Sequence, residues 1–75
     1  MALAVRISQP ALLDELVLAL TRHGCVAHRV DADSCRVVHV HARDADEARR
    51  ELGFFLGAWE LEHPSVTARL STRRT

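Results

Sequence analysis

The stretch VVHVHA, Val37 to Ala42, decides how the chain folds, because it sets valine against histidine residue by residue. In an extended strand successive side chains point to opposite faces. Val38 and Val40 therefore share one face, while Cys35, Val37, His39 and His41 share the other. Buried valines need nothing further, but buried histidines need hydrogen-bond partners. This parity predicts valines in the core and histidines on an open, solvent-facing side.

The preceding strand runs from Cys25 to Asp31 and is joined to the next by Ala32-Asp33-Ser34. So short and polar a joint predicts a hairpin. A loop of those three residues places Asp31 opposite Cys35, Val30 opposite Arg36, Val26 opposite Val40 and Cys25 opposite His41. Val26 and Val30 then join Val38 and Val40 in the core, and a one-residue slip would break that set. Cys25 and Cys35 fall at opposite ends of the hairpin, too far apart for a disulfide. Cys25, His39 and His41 share a face and could sterically hold zinc or copper. No fourth ligand or orienting carboxylate is apparent, so no metal or other cofactor is assigned.

Outward from the hairpin the elements alternate. Leu3, Val5 and Ile7 alternate with Ala4 and Arg6 as a first strand. Ser8 is the expected N-cap and Pro10 the first turn of a helix whose buried stripe is Leu13, Leu16, Val17 and Leu20. Gly24 suits its C-terminal end. Asp44 and Glu47 have capping-box spacing ahead of a second helix, with Ala48, Leu52, Phe55, Leu56 and Trp59 inward. Val66, Ala68 and Leu70 form a fourth strand, and residues 71–75 are expected to be a polar tail. The order βαββαβ predicts an α+β, ferredoxin-like two-layer sandwich. Its antiparallel sheet would run 4-1-3-2 with both helices on one face, although the same elements could form an exchanged dimer.

Ile7 to Asp31, ISQPALLDELVLALTRHGCVAHRVD, resembles the opening of an ACT domain. That family runs from a strand through a polar residue, a proline and a glycine into a leucine-rich helix that ends in glycine. Gln9-Pro10-Ala11-Leu12-Leu13 occupies the turn here and Gly24 the helix end, with Ala11 where the family has glycine. The resemblance covers a third of the chain by motif and all of it by element order. It implies a regulatory module binding amino acids or other small ligands between paired domains. Ser8, Gln9, Pro10, Ala11 and Leu12 would then line the ligand. An amino-acid sensor is accordingly one expected function.

Composition narrows the remaining classes. Seventy-five residues, 48% hydrophobic, make one domain spanning 1–75. Ten acids balance ten bases, so no overall field favours nucleic acid or an anionic membrane. Every base is arginine, which points to GC-rich coding. No apolar run reaches the roughly 18 residues of a membrane helix, and MALAVRIS lacks the marks of a signal peptide. A soluble cytoplasmic protein with reduced cysteines is expected.

No serine lies in a nucleophile elbow and no glycine loop cradles phosphate, so no catalytic residue is assigned and an enzyme is not expected. The expected open sheet face carries Arg6, Arg29 and Arg69 but no aromatic for base stacking. Nucleic-acid binding is therefore at most weak. The helices carry more apolar residues than one face can bury, notably Leu18, Phe54 and Leu61. With His39 and His41 on the open face, these make self-association the first expectation. A homodimer or small homo-oligomer, or an unidentified protein partner, would cover them.

Overall fold

The computed structural model describes residues 3–72. Four strands alternate with two helices: β1 (Leu3–Ile7), α1 (Leu13–Arg22), β2 (Cys25–Arg29), β3 (Ser34–His39), α2 (Ala45–Glu62) and β4 (Ala68–Thr72). The sheet runs β2-β3-β1-β4, which is 4-1-3-2 counted from the other edge. All three pairings are antiparallel. Leu13, Leu16 and Leu20 of α1 and Ala48, Leu52, Leu56 and Trp59 of α2 share one core with Leu3, Val5 and Ile7 of β1. The fold is α+β and compatible with a two-layer sandwich.

The hairpin differs from the sequence expectation in two ways. Its loop is Asp31-Ala32-Asp33, one residue earlier, with Val30 N–H donating to Ser34 O (3.0 Å). The register becomes Cys25 opposite His39, Ala27 opposite Val37 and Arg29 opposite Cys35. More consequentially, the faces are exchanged. Cys25, Cys35 and Val37 lie in the core, while Val26, Val30 and Val40 are exposed. His28 is exposed too.

The physical reason is Arg36. Placing Val38 and Val40 inward would put that guanidinium in mid-strand under the helices, an unpaired buried charge. With the observed parity Leu3 pairs with Val37 and Val5 with Cys35, and Arg36 lies across from Ala4 on the open side. The histidine this turns inward stands at the strand end, within reach of a helix carboxylate.

The chain ends its helices as the sequence indicates, with local changes. Gly24 has φ +95°, a conformation that side chains with a Cβ rarely adopt. Asp44 caps α2, its carboxylate accepting from Glu47 N–H at 2.8 Å. Glu47 reaches back one residue further than a capping box requires, to Arg43 N–H at 3.2 Å. Ser8 is not the cap of α1, because a single 3-10 turn, Pro10–Leu12, comes between. Its Oγ instead accepts from Thr67 N–H at 2.9 Å. Ser71 and Thr72 belong to β4 rather than to a tail, and residues 73–75 lie outside the described residues.

The register is testable by truncation. Val37→Ala should lower unfolding free energy in urea by about 2 kcal/mol, the loss of a buried valine's methyl groups. Val38→Ala, on the open face, should cost less than half as much. The reverse order would rule out this parity.

Candidate functional site

Three regions gather the side chains that sequence reasoning singled out. The first lies where β2 and β3 begin and end beside α2. His39 has a side chain only 6% exposed, and its Nε2–H donates to Glu51 Oε1 at 2.6 Å. Its Nδ1 is buried without a partner. His23, the C-cap of α1, lays its ring 4.7 Å from Phe55 and meets His39 edge-on at 6.3 Å. Cys25 is across from His39 in the register. His41 is exposed in the turn after β3, with Cδ2 3.6 Å from where a Cβ on Gly24 would lie.

His39 is thus not on the open face as an interface residue; it is a core-margin side chain held by α2. Nor do Cys25, His39 and His41 form a solvent-facing set. Among the described residues no three His, Cys, Asp or Glu side chains are grouped to hold a metal ion. Burial, and secondarily the charge of Glu51, pushes the Cys25 thiol up. Burial alone pushes Cys35 up to about 11. Both free thiols are therefore protonated at neutral pH, the opposite of an activated nucleophile.

The second region is the turn that the ACT resemblance implicates. Ser8 is tied to Thr67, and Gln9 Nε2 donates to Ser65 O at 2.9 Å. These bonds lock the turn to the connection between α2 and β4. Ser8 and Pro10 also border a hollow of about 280 Å³ shared with Arg6, Ile7, Asp33, Thr67 and Arg69. Gln9, Ala11 and Leu12 do not border it.

The third region is the outer surface of α2. Phe54 is 75% exposed and Leu61 85%. Positions 54, 58 and 61 follow one helix face, and Ala58 is exposed between them. Leu18 of α1 is half exposed on the other helix. Sequence reasoning found these residues because they exceed what one buried stripe can hold. It missed Val26, Arg36 and Val38, which the exchanged faces bring to the open side of the sheet. Arg36 itself was the available signal.

The two helices are fastened to each other by their C-cap histidines. His23 caps α1 and packs on Phe55 of α2. His63 caps α2, stacks on Trp59 at 4.1 Å and reaches Glu15 of α1 at 3.2 Å. His63 Nδ1–H donates to Trp59 O at 2.9 Å.

No protein-family model, curated protein or solved structure matches this chain. Among the described residues no helix is long and apolar enough to cross a membrane.

Titration of His63 tests the helix clamp. The Trp59 carbonyl first, and Glu15 second, favour the protonated ring and raise its pKa above the ordinary 6.5. Because the folded value is the higher one, the stabilisation is complete below pH 6.5 and fades as pH rises through the raised value. Proton NMR should place the His63 midpoint above that of an unstructured histidine. Glu15→Gln should lower the midpoint without abolishing the shift, since the Trp59 carbonyl remains. An unshifted midpoint in the unmodified protein would exclude the clamp.

Proposed function

We propose that this chain is a non-catalytic, ferredoxin-like and ACT-like interaction module that works by self-association through the outer face of α2. The element order and the 4-1-3-2 sheet support the topology. The observation that carries the function is the exposed stripe Phe54, Ala58 and Leu61, with Gly57 beside it. Nothing lies within 4 Å of where a Cβ on Gly57 would be, so a second helix can approach the backbone closely there.

Charge favours a second copy as the occupant. The stripe is preceded by exposed Arg50 and followed by exposed Glu62. An antiparallel pair of α2 helices brings each Arg50 toward the other copy's Glu62 and seats each Phe54 over the other's Gly57. Burying both phenylalanines and both leucines is worth roughly 6–12 kcal/mol in total. Association costs about 4–15 kcal/mol, so the dimer is weak and reversible, as a regulatory contact should be. A cytoplasmic setting goes with this reading.

A second reading, an amino-acid sensor, is favoured by the hollow beside Ser8 and Pro10. A thermal-shift panel of amino acids tests it, and no stabilisation by any of them would end it. Light scattering coupled to gel filtration tests self-association. The average mass should rise above that of one chain with concentration, and Phe54→Asp combined with Leu61→Asp should return it to one chain. A wild-type protein still monomeric at about 1 mM, where roughly 4 kcal/mol of association would show, sinks the proposal.

A further inference from the structure

We propose that the open sheet face carries a binding site for the phosphate group of a small hydroxylated molecule, centred on Arg6 and Arg69. The two arginines are direct partners across β1 and β4 and both point away from the helices. Side chains so paired have Cβ atoms about 4.5–5.5 Å apart, and like charges there repel. Arg36 is diagonal to Arg6 on the neighbouring strand, since Arg6 pairs with Ser34 and Ala4 with Arg36. The fold therefore holds three guanidinium groups together on one face of a chain whose formal net charge is zero.

Among the described residues little compensates them. Every Asp and Glu except Asp31 and Asp33 belongs to the helices or to the α2 N-cap, in the opposite layer. Asp33 approaches Arg6 Nε only at 3.8 Å, with the arginine side chain 69% exposed. The side chains of Arg69 and Arg36 have no hydrogen bond or ion pair among the described residues. A dianion between the cations would relieve their repulsion and match two planar donor forks. A monocarboxylate would match only one.

The space for such a ligand is present. Arg6 and Arg69 border a hollow of about 430 Å³ with Ala4, Ser34, Ser71 and Asp31 on its other sides. Small residues between long arginines make the depression, and its size lies toward the lower end of the roughly 300–1,000 Å³ of small-molecule sites. Ser71 adds a hydroxyl donor beside the guanidinium groups. Asp31 is fixed by Ser34 Oγ, which donates to its Oδ2 at 3.2 Å. That carboxylate repels a second phosphate but accepts from a hydroxyl. The geometry thus selects a phosphomonoester of a polyol or sugar over a polyphosphate.

NMR titration of the full chain with ribose 5-phosphate, inorganic phosphate and ribose tests the site at constant ionic strength. Ribose 5-phosphate should shift the amides of Arg6, Ser34, Arg69 and Ser71, with phosphate weaker and ribose silent. Arg69→Gln and Arg6→Gln should each weaken binding about tenfold or more, the loss of one charge-assisted fork. Arg22→Gln, on α1, should leave it unchanged, and circular dichroism reports whether each variant folds. Ribose binding as well as its phosphate, or Arg69→Gln binding undiminished in a folded protein, overturns the proposal. So does a single-stranded oligonucleotide that binds far more tightly with release of roughly three or more counterions, which makes the face a nucleic-acid surface. None of these outcomes bears on self-association, which uses the other side of the molecule.

Discussion

Arg36 is the residue on which the rest of the structure depends. A guanidinium in the middle of a central strand has to face water, and that one requirement orients all of β3. Cys35 and Val37 then turn beneath the helices, where Val5 and Leu3 meet them from β1. Val26 and Val38 are left on the open side, directly paired. The sheet consequently has a fully packed face and a mixed one, with valines at the β2 edge and arginines toward β4.

His39 shows why such parity is hard to judge by counting polar residues. A histidine is costly to bury only where no partner can be found. At the last position of β3 it meets Glu51, which projects from α2 at bonding distance. Charge in the strand centre and polarity at the strand end are therefore unequal penalties. The neighbouring C-cap histidines follow the same logic, since each helix end delivers a ring to the opposite helix. Among the described residues the unsatisfied Trp59 Nε1 and His39 Nδ1 mark places where core packing prevails over hydrogen bonding.

Element order, helix faces and two of the helix ends were legible in the residues because each has a local cause, whereas the Ser8 cap was not, a 3-10 turn intervening. Leu3, Val5 and Ile7 alternate, Leu13, Leu16 and Leu20 recur at helical spacing, and Gly24 and Asp44 stand at helix ends. The direction of β3 was not legible from alternation alone, because CRVVHVH offers apolar residues to both faces. Deciding it requires knowing what α2 and β1 bring to each end of the strand. The surplus apolar residues Phe54 and Leu61 could be identified in the sequence, since they fall outside the buried stripe of α2. Arg6 and Arg69 could be placed on the open face from their own strands, but Arg36 could not join them, because its side depends on the parity of β3 and its closeness to Arg6 on the register with β1.

That strand order also shapes how the chain is made. β1 lies between β3 and β4, so neither of its partners is its neighbour in sequence. As a ribosome extends the chain, the β2–β3 hairpin and then β3 can dock on LAVRI, but its other edge stays bare. It is closed only when Ala68 to Thr72 emerges. An apolar strand with a free edge is a template for other chains. The interval of greatest aggregation risk is therefore the one just before β4 emerges, when nearly all of the core exists and that strand does not.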